Sequence, residues 1–332
     1  MTRRTGRPGQ EIDFSVVICA YTQDRWADLT RAIASVQAQL RPALEMILVI
    51  DHNDALLAHT TAAFTGATVI ANGGQRGLSD ARNTGLRAAR GSVVAFLDDD
   101  AAADPDWLAR LASTYADESV IGVGGSAEPA WAAGRRPAWF PAEFDWVVGC
   151  SYRGMPITAS PIRNFLGCNM SFRREAFVIA GEFDTAIGRV GTRPVGCEET
   201  EFCIRLAARA PDRRLVYEPA ARVVHQVPVA RSRWRYFQAR CFSEGTSKAV
   251  VSELTASQSA LSTEWRYTLV TLPSGVARNL AALVLRRDLA GPVRAGAIVA
   301  GLAITTAGYL SRRVAGRWGR GRRRRLSDTV AS

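Results

Sequence analysis

The chain has one lysine, Lys248, among 42 basic residues. Nearly every cation is a guanidinium, a skew we attribute to coding composition rather than chemistry. Histidine is scarce too, at three positions. The six cysteines form no C-x-x-C pair and no framework spacing, so buried free thiols in a reducing cytosol are expected instead of a disulfide scaffold. No apolar run follows the polar, Arg-rich residues 1–10, and no signal peptide is expected. The turn Ala20-Tyr21-Thr22-Gln23 after the first apolar run lacks a glycine loop for phosphate, which argues against a nucleotidyltransferase. Acids are missing from Arg312 to Arg325, where eight arginines carry eight of the eleven net positive charges. The body of the chain thus has the charge balance of an ordinary globular protein. With no nucleic-acid module beside it, the basic tail is not read as a nucleic-acid site.

What is present is a regular alternation. Apolar runs at 14–19, 46–50, 68–70, 93–97 and 120–124 read as strands. Residues 28–39, 78–89 and the stretch capped by Asp104-Pro105-Asp106-Trp107 read as helices. This predicts an α/β fold with a parallel sheet, whose ligands bind beyond the carboxyl ends of the strands. From Pro129 to Arg163 prolines and aromatics break the pattern, as in a lid or a satellite core. Further on, 167–172, 215–217 and 223–225 read as strands, and 173–180, 198–210 and 231–250 as helices around a glycine-rich loop at 181–196. Beyond Ser252 come apolar helices. The uncharged stretch Ala295 to Leu310 would be about 24 Å long, short of a bilayer core of about 30 Å. A full span and an in-plane segment both remain open.

Four constellations carry chemistry. The first is Asp98-Asp99-Asp100, at the end of the buried run Val93 to Leu97. Crowded carboxylates stay ionised when a cation sits among them, and Mg2+ or Mn2+ bridging a diphosphate is the usual solution. The second is the strand-end set Tyr21, Asp24, Asp51 and Arg82, with the Gly77 turn opening a helix whose N-terminus suits an anion. The third is Cys197-Glu198-Glu199-Thr200-Glu201, in which a carboxylate can act as base on a hydroxyl or simply satisfy a helix dipole. The fourth is His225, which reads as a metal ligand, a diphosphate contact or a hydrogen-bonded structural residue.

Together these residues resemble the family 2 glycosyltransferases, which have the GT-A fold. The resemblance runs from about Phe14 to Lys248. It rests on Val17-Ile18-Cys19-Ala20-Tyr21, Gly77-Leu78-Ser79-Asp80-Ala81-Arg82-Asn83, Phe96-Leu97-Asp98-Asp99-Asp100, Gly167-Cys168-Asn169-Met170-Ser171-Phe172 and Glu198-Glu199-Thr200-Glu201. It implies an inverting, metal-dependent enzyme that moves one sugar from a nucleotide-diphosphate donor, UDP-linked, to an acceptor hydroxyl. Ala20, Tyr21, Asp24, Asp51, Arg82, Asp98 and Asp99 would bind the nucleotide sugar. Asp98, Asp100 and His225 would hold Mg2+ or Mn2+. Asn169 and Trp139 would meet the acceptor. The base would be Glu199, with Glu198 as the alternative, since the family's G-E-D motif reads here as Cys197-Glu198-Glu199. Arg231-Ser232-Arg233-Trp234 lacks the glutamine of the processive Q-x-x-R-W motif, so single transfer is expected. Trp139-Phe140-Pro141, His225-Gln226-Val227-Pro228 and the segment Phe242 to Lys248 are similar to a membrane-associated branch that includes glucosyl-dolichyl phosphate glucuronosyltransferases. The expected organisation is a polar arm at 1–13 and a transferase domain at 14–250, with its nucleotide half at 14–125 and its acceptor half at 126–250. Membrane-associated helices at 251–311 and an Arg-rich tail at 312–332 would meet an anionic membrane on its cytoplasmic face, near a lipid-linked or envelope-glycan acceptor. An inactive, membrane-tethered carbohydrate-binding protein is the competing reading.

Overall fold

The computed structural model describes residues 12–186, 197–255 and 265–330. Strand β1 (Phe14–Ala20) is buried on both faces, as an unbroken apolar run between two layers of helices requires. Val17 packs in one layer with Phe96 and Phe202, and its neighbour Ile18 packs in the other with Leu29 and Trp107. β2 (Glu45–Ile50) and β4 (Val93–Asp98) flank β1 in parallel, and β3 (Thr68–Ala71) extends the sheet beyond β2. Helix α1 (Trp26–Gln37) buries Leu29, Ala32, Ile33 and Val36 at helical spacing. Helix α2 (Asp54–Ala63) stands where the sequence pattern marks none. Asn53 caps it by accepting from the Leu56 N–H at 3.0 Å, but only Leu56 and Thr60 are buried, too few to print a period. Helix α3 (Leu78–Ala88) comes so close to the sheet that a Cβ on Gly85 would collide with Val17.

The second half departs further from the expectation. After β5 (Ala101–Ala103) and α4 (Trp107–Tyr115), β6 runs for twelve residues, Val120–Trp131. It absorbs the start of the stretch that reads as irregular. β7 (Ser160–Pro161), β8 (Asn169–Arg173), α5 (Arg174–Ala180) and α6 (Glu198–Arg209) follow. The two short strands expected at 215–217 and 223–225 are one bulged strand, β9 (Arg214–Val227). The sheet order is β3-β2-β1-β4-β8-β6-β9-β5, with β7 also on β9. β8 is antiparallel to both β4 and β6, so the sheet is mixed and mostly parallel. The glycine-rich loop expected at 181–196 lies outside the described residues from 187 on.

Helix α7 (Trp234–Thr255) lies against a C-terminal hairpin of α8 (Leu272–Arg286) and α9 (Gly291–Val330). A third apolar core joins this hairpin to the proline- and aromatic-rich stretch through Phe140, Phe144, Phe237, Leu272 and Ile298. Those aromatics are therefore a satellite core. Gly245 of α7 and Gly308 of α9 set the closeness of the two helices: a Cβ on either would strike the backbone of the other helix, at Thr305 and Phe242 respectively. α9 continues unbroken past residue 312, where a separate tail was expected.

Candidate active site

Strand β4 delivers Asp98 to the carboxyl edge of the sheet, and Asp99 and Asp100 form the turn into β5. The pairing of Ala101 with His225 in β9 brings the imidazole back to the acids. His225 Nε2 lies 3.1 Å from Asp100 Oδ1. Arg25 Nη1 lies 3.1 Å, and Arg231 Nη2 3.5 Å, from Asp100 Oδ2. Arg25 also donates to Asp99 Oδ1 at 2.9 Å, while Asp99 Oδ2 is buried without a partner. Burial works against ionising Asp100, but His225, Arg231 and Arg25 outweigh it and hold the carboxyl well below the usual range. Asp99 goes the other way, raised by burial and then by the charge of Asp100. Burial opposes the imidazolium of His225, yet Asp100 raises it to about 10.

Ligand atoms of Asp98, Asp100 and His225 all lie within 4.8 Å of one another. Two carboxylate oxygens and one imidazole nitrogen form a set that Mn2+ accepts readily, and the carboxylates alone suit Mg2+. The orphaned Asp99 oxygen beside them is a further acceptor. The residues present therefore fit a divalent ion.

A cavity of about 400 Å3 is lined by Ala20, Tyr21, Arg25, Asp51, Asp98 and Asp99, together with Arg231 and Tyr236. Asp51 sits on its wall with its carboxylate already engaged. Oδ2 accepts from the Gly77 N–H at 3.0 Å and Oδ1 from Asn72 Nδ2 at 2.8 Å. It thereby ties β2 to the turn that opens α3. Tyr21 lies at the mouth with the Arg25 guanidinium over its ring.

A second cavity, about 240 Å3, shares Leu78, Asp98 and Arg231 with the first. Glu198 and Glu199 line it from the first turn of α6. The two neighbours differ in their partners. Arg82, almost fully buried, donates to Glu198 Oε1 at 2.7 Å, to Asp98 Oδ1 at 3.1 Å and to the Gly167 carbonyl at 2.9 Å. Glu199 accepts from the Thr200 hydroxyl at 3.3 Å and from its own backbone N–H, and among the described residues no cation pairs with it. Burial first, and then the charge of Glu198, push Glu199 up to about 8. Ahead of them Cys197 holds a left-handed backbone, φ 89°, the conformation that the glycine of a G-E-D motif adopts without strain.

Three expected residues do not join the site. Asp24 is exposed in a turn on which Thr22 caps its N–H, and its neighbour Arg25 enters the acid cluster instead. Asn169 is fully buried and saturated: Oδ1 accepts from Trp107 Nε1, and Nδ2 donates to the carbonyls of Ser126 and Ala221. Its amide locks three strands and a helix together and lines neither cavity. Trp139 packs on Phe140, Trp234 and Phe237 in the satellite core. The aromatics that line the second cavity are Trp146, Tyr152 and Tyr267. Arg25 gave no signal beyond its position after a strand end, and Arg231 only a partial motif.

A mixed sheet between helices, with acids at the carboxyl end of a central strand, is the GT-A architecture. Two solved structures share the fold. The mannosyltransferase PcManGT of Pyrobaculum calidifontis, in complex with GDP-Man and Mn2+, superposes with a TM-score of 0.55 at 17% identity, over 90% of this chain and 88% of that one. GalNAc-T7 with UDP, GalNAc and Mn2+ superposes with a TM-score of 0.53 at 18% identity. That match covers 82% of this chain and 58% of the longer GalNAc-T7 chain. The family model of glycosyl transferase family 2 matches residues 15–178. Glucosyl-dolichyl phosphate glucuronosyltransferase of Haloferax volcanii is 36% identical over 244 residues, 72% of this chain and 77% of that protein. The chain belongs to glycosyl transferase family 2, in the branch represented by that relative, and it is a glycosyltransferase.

Proposed function

We propose that the protein is an inverting, metal-dependent transferase that moves one sugar from a UDP-linked donor to a hydroxyl of a lipid-linked acceptor. The observation that carries this reading is the meeting of two cavities at Asp98, Leu78 and Arg231, with Asp98 and Asp99 lining one and Glu199 the other. The nucleotide occupies the first cavity, its base near Asp51 and Tyr21 and its ribose and sugar near Ala20, Arg82, Asp98 and Asp99. Arg25 and Arg231 offer guanidinium forks to the diphosphate oxygens. Asp98, Asp100 and His225 hold Mn2+ or Mg2+, which when bound supplies neutralisation of charge on the diphosphate.

The acceptor hydroxyl enters from the second cavity. Its oxygen bonds to the anomeric carbon as the bond from that carbon to the diphosphate oxygen breaks, and the electron pair leaves with the nucleoside diphosphate. Glu199 receives the hydroxyl proton. Its partner-poor, buried carboxylate suits a base, whereas the Arg82 pair makes Glu198 a weak one. Donor binding and sugar transfer in a Glu199→Gln variant are the decisive measurements. Mn2+-dependent UDP binding is expected to persist while sugar transfer falls by at least about a hundredfold. Full turnover in that variant would remove Glu199 from the role.

The enzyme's place is the cytoplasmic face of the membrane. Two helical stretches, Tyr267–Arg286 and Gly291–Val314, are long and apolar enough to cross a membrane. Both are nevertheless held to the catalytic body. The Tyr267 hydroxyl donates to the Glu143 carbonyl at 2.8 Å, Arg278 pairs with the Glu143 carboxylate, and Arg294 donates to the Ala138 carbonyl at 3.0 Å. Apolar side chains are left exposed along the hairpin, among them Leu283, Val284, Leu289, Val293 and Val299. The anchoring to the body favours a hairpin lying in the interface over two spans. Flotation with vesicles, with and without alkaline carbonate extraction, separates the two arrangements: an in-plane hairpin is released by carbonate and a spanning one is not.

A further inference from the structure

The second cavity is lined by two chemically different sets of side chains. Helix α7 turns Arg240, Glu244, Lys248 and Ser252 into it, four residues spaced by four and so stacked on one helix face. The aromatics Trp146, Tyr152 and Tyr267 line it as well. The polar stripe begins beside the glutamate pair, since the charge of Glu244 is felt at Glu199 and that of Arg240 at Cys197. Lys248 Nζ lies 3.7 Å from Glu244 Oε1. Lys248 is also the one ammonium in a chain of guanidiniums, and it faces this cavity.

The cations that suit the donor's diphosphate, Arg25 and Arg231, surround the acid triplet. Arg240 and Lys248 form a second cationic set on a different element. A singly charged phosphodiester is matched by a compact ammonium with three rotatable donors and a neighbouring guanidinium. An acid between them accepts from a sugar hydroxyl. The aromatic set covers alkyl chain or stacks on the apolar face of a sugar. Tyr267 is also where the chain enters the apolar hairpin, so that set leads to the surface proposed to meet lipid.

We propose that Arg240 and Lys248 bind the phosphate of an acceptor whose sugar is joined to a lipid through a phosphodiester, with the lipid leaving along Trp146, Tyr152 and Tyr267. The proposal rests on reading this cavity as the acceptor site.

Titration calorimetry of the full chain in neutral detergent micelles tests it, with the diester dodecyl methyl phosphate, inorganic phosphate and octyl glucoside as ligands and UDP with Mn2+ as the reference. Dodecyl methyl phosphate is expected to bind at least roughly tenfold more tightly than either other ligand, and Lys248→Ala to remove most of that preference. Lys248→Arg should restore part of it. UDP binding should be the same in all three proteins, which also reports that the variants are folded. Equal affinity for dodecyl methyl phosphate in wild type and Lys248→Ala overturns the assignment. Equal binding of inorganic phosphate and dodecyl methyl phosphate overturns the lipid-linked source. Absence of UDP binding in the wild type would instead strike at the transferase reading itself.

Discussion

Arg82 donates from Nη1 to Glu198 Oε1 at 2.7 Å, across 116 positions of sequence, and from Nη2 to Asp98 Oδ1 at 3.1 Å. One buried guanidinium thus joins the strand-end acid of the first cavity to the helix-start acid of the second. Removing one partner of a buried pair leaves its mate desolvated and uncompensated, at a cost of about 3–5 kcal/mol. Arg82→Ala should therefore lower the urea midpoint sharply, and Arg82→Lys, which keeps charge but loses the fork, should lie between. An unchanged midpoint in Arg82→Ala would show that the pair does not hold the two halves together.

The pH profile follows from the neighbour that Arg82 leaves alone. A base works unprotonated, and Glu199 is pushed up to about 8 by burial and by Glu198. Turnover at saturating substrates should rise with pH through a midpoint of about 8 and level off only above it. Glu198→Gln deletes the neighbouring charge and lets Arg82 act more fully on Glu199, so the rising limb should move to lower pH. A limb that stays in place in Glu198→Gln would assign it to another group.

Asp100 is the acid with the most cationic partners, His225, Arg25 and Arg231. Asp100→Asn is expected to abolish the gain in UDP affinity on adding Mn2+, a loss of at least roughly tenfold by analogy with weakened metal shells. Titration with UDP, with and without the metal, reads this directly. An intact metal response in the variant would place the ion elsewhere.

The contact of α7 with α9 depends on a missing side chain. A Cβ on Gly308 would strike the Phe242 backbone, and overpacking of this kind costs roughly 1–3 kcal/mol. Gly308→Val should speed amide exchange in both helices near that crossing while leaving UDP binding as it was. Unchanged exchange would mean that the helices accommodate the added volume by sliding.

The strands and the acid triplet were legible because they are local. An apolar run such as Val93 to Leu97 needs no partner to be recognised, and three acids at its end need only their neighbours. Periodicity failed at α2, where two buried residues leave no stripe, and at β9, where the segment between Leu215 and Val223 hides a single bulged strand.

The residue types and their order along the chain determined that there is an α/β core, an acidic strand end and a second acidic cluster at a helix start. Which side chain meets which was decided by the tertiary structure alone. Arg25 and Arg231 reach Asp100 only because short helical turns after β1 (Gln23–Arg25) and after β9 (Val229–Ser232) converge on one edge. Asn169 and Trp139, polar and aromatic in a way that suits a sugar, are turned inward, because backbone carbonyls and a ring cluster claim them first. Glu198 and Glu199 are identical in type and adjacent in sequence. Their separation into an ion-paired acid and a carboxylate of raised basicity comes from a guanidinium carried on another helix, and the strength of that pairing depends on burial that no local pattern encodes.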